Sequence, residues 1–184
     1  MTCVAGFVHG DDVYIGADSA GCRSWDITVR ADEKVFRKGQ YLIGFCGSFR
    51  MGDVLRYHME YTDASGADDI REFLVTKFVP NAREAMKAAG YAKVSDNVET
   101  GGEFLVGVRG RLFNFQPDFQ VAEPAVGYDA IGCGHAYAKG CLFTDLAVEP
   151  QERVLQALRA AGEHSNGVRQ PFLVLSTEGR ASAK

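Results

Sequence analysis

The hydrophobic period of this chain switches four times between that of a strand and that of a helix, and this order limits its fold more than any other feature. Cys3 to Val8 and Val13 to Asp18 are short apolar runs joined by His9-Gly10-Asp11-Asp12. That is the turn chemistry of a hairpin, placed here at the head of the chain. A looser stretch with Gly21, Ser24 and Trp25 follows. Lys34 to Arg37 and Tyr41 to Cys46 then form a second hairpin across Lys38-Gly39. The second of these runs is almost wholly apolar, as expected of a strand covered on both faces.

After Gly47-Ser48 the period becomes helical. Met51, Leu55, His58 and Met59 share one face. Asp68 to Ala89 carries a longer stripe through Ile70, Phe73, Leu74, Phe78, Ala82, Ala85, Met86 and Ala89. Pro80 inside that stripe predicts a kink or a restarted helix. Gly90 to Gly102 reads as loop. Strands return at Glu103 to Val108 and Arg111 to Phe115, split by Arg109-Gly110, then at Phe119 to Glu123 and Tyr128 to Gly132. Helices follow at His135 to Thr144 and Pro150 to Glu163, with Pro150 suited to a first turn. Phe172 to Ser176 closes as a strand, and Ala181 to Lys184 is expected to fray. Segregated blocks of this kind predict an α+β fold with helices packed outside two stacked sheets. No repeat or linker interrupts the chain, so residues 1–184 are expected to form a single domain.

Composition narrows the function classes. A formal charge of -4 provides no basic footprint, so no nucleic-acid partner is expected. No apolar run approaches the roughly 20 residues that cross a bilayer, and the head of the chain lacks signal-peptide character. No membrane association is expected. Cys3, Cys22, Cys46, Cys133 and Cys141 are an odd set without a C-x-x-C pair, which favours reduced thiols in a cytoplasm. His9, His58, His135 and His164 show no metal-ligand spacing with them, so no metal or cofactor is expected.

Among the polar residues, Thr2 has distinctive potential. Removal of Met1 would leave a threonine whose own α-amine can take the hydroxyl proton. Such an amine titrates near ~7.7–8.0, close to working pH. Asp18 ends the second strand and Lys34 begins the third, which puts a carboxylate and an ammonium on neighbouring strand ends. A lysine beside the Thr2 hydroxyl would lower its pKa. Gly44-Phe45-Cys46-Gly47-Ser48 and Ile131-Gly132-Cys133-Gly134-His135 are strand-to-helix turns whose backbone N–H groups could serve an oxyanion. Taken singly, each of these features is ordinary.

Together they resemble the proteasome β-type subunits, and especially the HslV-type relatives. Those proteins begin with a mature Thr and carry an A-[AG]-D-[SG] strand end. A Lys lies 32 residues after the Thr, ahead of a Gly-rich turn. Here Lys34 lies 32 residues and Asp18 lies 16 residues after Thr2. Ile131-Gly132-Cys133-Gly134 with Tyr137-Ala138 is similar to the family's G-S-G-x-x-Y-A segment, and the order of elements agrees from end to end. The resemblance implies a four-layer αββα sandwich of two antiparallel sheets flanked by helices, the N-terminal-nucleophile (Ntn) hydrolase fold. It implies a threonine-type peptidase in which Thr2 is the nucleophile, its amine the base, Lys34 the group that lowers the hydroxyl pKa and Asp18 its anchor. The N–H near Gly47 or Ser48 would hold the oxyanion. Self-association into rings, an unfolded polypeptide substrate and an ATP-dependent unfoldase partner are further implications.

This sequence departs from the pattern at three places. Cys133 stands where the family has a serine that hydrogen-bonds near the Thr amine, and a thiol is a weaker donor and acceptor. The family's late acidic residue and serine have only Glu163 and Ser165 as nearest counterparts. The oxyanion turn continues into Phe49 and Arg50, which either line a pocket or simply begin the helix. Two alternatives stand beside the peptidase: a catalytically weak or silent ring scaffold, and an Ntn amidase acting on a small amide. The lack of an extension and helix ahead of the first strand favours a β-type over an α-type subunit.

Overall fold

Alternate side chains of β1 (Cys3–His9) face two different cores, and this alternation sets the layers of the molecule. The computed structural model describes residues 1–24, 26–95, 98–144, 149–178 and 182–183. Val4 points into a middle core with Val13, Ile15, Val35, Leu42, Leu105 and Leu112. Cys3, Ala5 and Phe7 point the other way, onto Leu142, Val154 and Leu158. Fully burying one Val, Leu or Ile side chain contributes about 1.5–3 kcal/mol. A one-residue slip of β1 would exchange these two faces, so its register, and with it the position of Thr2, is strongly specified.

β1 lies inside a five-stranded sheet of order β12-β1-β2-β13-β14, built from Tyr128–Gly132, β1, Asp12–Ala17, Leu173–Ser176 and Ser182–Ala183. The second sheet, also five-stranded, runs β11-β10-β9-β6-β5: Val121–Ala122, Arg111–Phe115, Phe104–Val108, Tyr41–Phe45 and Val35–Lys38. All strand pairs are antiparallel. Helices α4 (His135–Phe143) and α5 (Pro150–His164) cover the first sheet through Ala138, Leu142, Val154, Leu158 and Ala161. Helices α1 (Phe49–Asp53), α2 (Ile70–Phe73) and α3 (Val79–Ala88) cover the second, where Met51, Ile70, Leu74, Phe78 and Met86 meet Ile43, Phe104, Phe113 and Phe115. This is the expected αββα sandwich. β6 is buried throughout because it has a core on each face.

The helical stretch around Pro80 widens into a π turn at Leu74–Phe78, and α3 restarts with Pro80 in its first turn. There the missing N–H leaves no bond unmade. A second π turn, Val54–His58, extends α1 and had no signal in the sequence.

Four local expectations are corrected. The loose stretch after Ser19 contains a hairpin of β3 (Ala20–Arg23) and β4 (Asp26–Val29); Trp25 lies outside the described residues. The expected loop from Gly90 to Gly102 contains β7 (Lys93–Ser95) paired with β8 (Val98–Thr100). Both hairpins are largely exposed, so no alternation of apolar residues marks them. The strand expected from Phe119 to Glu123 shrinks to Val121–Ala122, because Phe119 takes φ +66° and its N–H closes a turn on the Gln116 carbonyl. The tail expected to fray contributes Ser182–Ala183 to the first sheet, and Ala181 and Lys184 lie outside the described residues.

Candidate active site

Thr2 stands at the head of β1 and is 4% exposed. Its backbone is held from two sides: Thr2 N donates to Cys133 Sγ at 3.3 Å, and Gly134 N donates to the Thr2 carbonyl at 3.3 Å. The hydroxyl donates to the Met1 carbonyl at 2.6 Å. Met1 packs its side chain over Gly167, where an added Cβ would fall 2.3 Å from Met1 Cβ and 2.7 Å from its Sδ. Gly132, at the end of β12, has φ +85°, and a Cβ there would fall 2.3 Å from the Thr2 carbonyl oxygen. Only glycine lets the two strands come this close.

The strand ends bring Asp18 and Lys34 together beneath this point. Lys34 Nζ donates to Asp18 Oδ1 at 2.8 Å, and the same oxygen accepts from Cys3 N at 3.0 Å. Oδ2 accepts from Ala20 N at 2.9 Å and from Arg169 N at 3.3 Å. Both charged side chains are fully buried. Burial of an ion pair is tolerated when the remaining lone pairs are also satisfied, and here backbone amides satisfy them.

Gly47 has φ +84° and is exposed. The Ser48 N–H is engaged by the Cys46 carbonyl at 3.1 Å, and Ser48 Oγ caps α1 by accepting from Met51 N at 3.3 Å. Among the described residues the Gly47 N–H has no hydrogen-bond partner. Phe49 begins α1; its ring meets Phe45 edge-on and lies 3.8 Å from the Arg30 guanidinium carbon. Arg50 donates to the Ala89 carbonyl at 2.6 Å and lines a cleft of about 670 Å³ with Ser48, Tyr91, Lys93 and Pro117.

Cys133 and Ser165 meet at the site. Cys133 Sγ lies 3.4 Å from Ser165 Oγ and donates to the Thr2 carbonyl at 3.4 Å. Ser165 caps the end of α5. Glu163 is not brought to Thr2: it is exposed and lines a separate cleft with Arg159, Val168 and Phe172. The buried stripe of α5 passes through Ala161, and a residue two positions further points away from that face.

Two thiols beside the site are held protonated. Burial pushes Cys3 up to about 12, aided by Asp18 and Cys133 and opposed by Lys34. Burial also drives Cys46 above the ordinary thiol range, reinforced by the Glu103 carboxylate.

Several contributors escaped the sequence reading. The amides of Cys3, Ala20 and Arg169 cradle Asp18, but every residue type supplies such a donor. His135 Nδ1 lies 2.7 Å from the Gly132 carbonyl, beside the glycine that admits Thr2. Glu103 and Gly167 reach the site only through long-range pairing.

The αββα sandwich, with a threonine at the head of an interior strand of the first sheet, has the fold of the proteasome-like Ntn hydrolases. Among solved structures it is similar to BPH from Thiobacillus denitrificans, at 18% identity and a TM-score of 0.77, covering 95% of this chain and 96% of that one. It is also similar to HslV from Trypanosoma brucei, at 16% identity and a TM-score of 0.66 over 95% and 98% of the two chains. Anbu, the ancestral beta-subunit, from Yersinia bercovieri superposes at 15% identity and a TM-score of 0.69 over 98% and 86%. No protein-family model and no curated protein matches the sequence.

Proposed function

We propose that this chain is a threonine-type endopeptidase subunit of a self-compartmentalising ring protease, with Thr2 as nucleophile once Met1 is removed. One observation carries the reading. Asp18 Oδ1 binds both the Lys34 ammonium and the amide of Cys3, which places a buried cation at the residue next to Thr2. An ammonium in that position favours the alkoxide form of the neighbouring hydroxyl.

The chemistry then follows from the chain's own groups. The freed Thr2 amine, steadied by Cys133, takes the hydroxyl proton as Oγ1 attacks the carbonyl of a bound peptide. The oxyanion is held by the Gly47 N–H. Collapse breaks the peptide C–N bond, the amine returns its proton to the leaving group, and an ester to Thr2 remains. Water, activated by the same amine, hydrolyses that ester and restores Thr2. Unfolded polypeptide is the substrate class, rings of this chain enclose the sites, and an ATP-dependent unfoldase is the partner that would feed them.

Met1 also supports a second reading. While it is attached, the would-be base is an amide that donates to Cys133, and the hydroxyl is spent on the Met1 carbonyl. A chain that keeps Met1 would be a silent ring scaffold. One solved BPH structure is a complex with epoxomicin, which makes an epoxyketone the natural probe. Intact mass before and after incubation with it separates the readings. The peptidase loses Met1 and gains one adduct on Thr2; retention of Met1 with no adduct selects the scaffold.

A further inference from the structure

Cys133 is the exposed thiol of the candidate site, and its polar neighbours belong to Thr2 and Ser165. Its sulfur lies 3.3 Å from the Thr2 nitrogen, 3.4 Å from the Thr2 carbonyl oxygen and 3.4 Å from Ser165 Oγ. The first sheet fixes these distances. Cys3 pairs with Gly132 in the β1–β12 ladder, and Gly134 N donates to the Thr2 carbonyl, so the residues on both sides of Cys133 are tied to the head of β1. Reacting atoms held about 3–3.5 Å apart are close enough for a bimolecular step to become effectively intramolecular.

The other thiols are less open to attack. Cys3 and Cys46 are buried and held protonated, whereas the thiolate is the form that peroxides oxidise. Cys22 and Cys141 are half-buried, and Cys22 Sγ donates to the Gly167 carbonyl at 3.8 Å. Cys133 is therefore the first thiol that a small oxidant meets. The nucleophile placed against its sulfur is a nitrogen.

We infer that Cys133 and Thr2 form a peroxide-sensitive switch, in which oxidised Cys133 closes an S–N bond onto the freed Thr2 amine. The Cys133 thiolate attacks hydrogen peroxide and the O–O bond breaks. Sulfur is oxidised to the sulfenic acid, and the other peroxide oxygen leaves as water. The Thr2 amine then attacks Sγ, the S–O bond breaks, and hydroxide departs as water with a proton from the amine. One peroxide becomes two waters, and the chain loses two hydrogens. The product is a sulfenamide, whose nitrogen is no longer free to take the Thr2 hydroxyl proton. Thiols reverse the reaction: one attacks Sγ and expels the amine, and a second reduces the mixed disulfide. The bond itself needs only the Thr2 nitrogen, but its effect on activity rests on the peptidase reading.

The test uses the full chain with Met1 removed by methionine aminopeptidase, as checked by intact mass. Untreated protein is first labelled with the epoxyketone. No adduct overturns the peptidase reading alone, since the S–N bond is read by mass. Protein is then treated with hydrogen peroxide, and catalase removes the excess. The intact mass should fall by two hydrogens. Iodoacetamide in denaturant should modify one thiol fewer than the five of the untreated chain. The tryptic peptide that begins at Thr2 should be joined to the one holding Cys133, with Cys3 and Cys22 both alkylated. Epoxyketone labelling should drop by about tenfold or more and return with dithiothreitol. Cys133→Ser, compared with its own untreated rate, should lose none of its labelling. Loss of two thiols, which marks a disulfide, overturns the inference. So does oxygen gained on Cys133 without the loss of two hydrogens, or a fall in labelling that persists in Cys133→Ser.

Discussion

Lys34 Nζ lies 2.8 Å from Asp18 Oδ1, and neither side chain is more than 1% exposed. The pair is more than an ion pair. The carboxylate also collects the amides of Cys3, Ala20 and Arg169, which belong to β1, β3 and the loop ahead of β13. One side chain thereby joins three segments around Thr2, and the ammonium is held where those segments meet. Stability, and under the proposed mechanism the chemistry, depend on the same atoms.

Breaking the pair from either side should therefore be severe. Lys34→Ala leaves a buried carboxylate short of its cation, and Asp18→Ala leaves a buried ammonium and three unpaired amides. Each should lower the unfolding free energy by about 3–5 kcal/mol, with Asp18→Ala at the upper end. Urea titration provides the measurement. A Lys34→Ala protein as stable as the parent would show that the pair is not closed in solution.

Gly132 tests how tightly Thr2 is seated. Alanine there must adopt φ +85° and place Cβ 2.3 Å from the Thr2 carbonyl oxygen, so strand β12 or Thr2 has to move. Gly10 also has a positive φ, +59°, but nothing lies within 4 Å of its added Cβ. Gly10→Ala should cost only the left-handed strain of about 1–2 kcal/mol. Gly132→Ala should exceed it and reduce epoxyketone labelling of Thr2 by about tenfold or more. Equal thermal shifts for the two variants would count against the close approach.

Cys133 Sγ accepts from the Thr2 nitrogen at 3.3 Å and lies 3.4 Å from Ser165 Oγ, so under the proposed mechanism it would orient the freed amine. A hydroxyl is the stronger partner, so Cys133→Ser should label at least as fast as the parent. Cys133→Ala, which removes the contact altogether, should fall by about tenfold. If the alanine and serine variants label alike, the thiol plays no part in orienting the amine.

Sequence reading succeeded where side-chain type and strand position coincide. Asp18, Lys34 and Thr2 sit at or next to the ends of strands whose apolar alternation is strong, so their meeting point follows from the register. It failed where the signal is conformational. Phe119 reads as strand until its left-handed backbone is known, and β3–β4 and β7–β8 lack a buried face to write a pattern. Glu163, the nearest counterpart of the family's late acidic residue, stands two residues past Ala161 on α5 and so faces outward. Glu103 offered no local cue, because its relation to Cys46 spans 57 residues.

The buried thiols predict an alkaline limit to stability. A thiol is neutral when protonated, and burial raises its pKa in the folded chain. The stabilisation is therefore complete below the ordinary thiol value of 9.0 and is lost as pH rises towards about 12 for Cys3. Cys46 follows in the same direction, reinforced by Glu103. Tyr41 and Tyr61, also raised by burial, add to the loss, so the decline in Tm alone does not isolate a thiol. Comparison with Cys3→Ala does. Any advantage of the parent over this variant should narrow as pH is taken from 8 towards the top of the window, as read by thermal unfolding. Alkylation at pH 8 provides an independent check, since exposed Cys133 should be modified well before Cys3 and Cys46. Early labelling of Cys3 in the folded protein would mean that the first sheet opens at the very strand that carries Thr2.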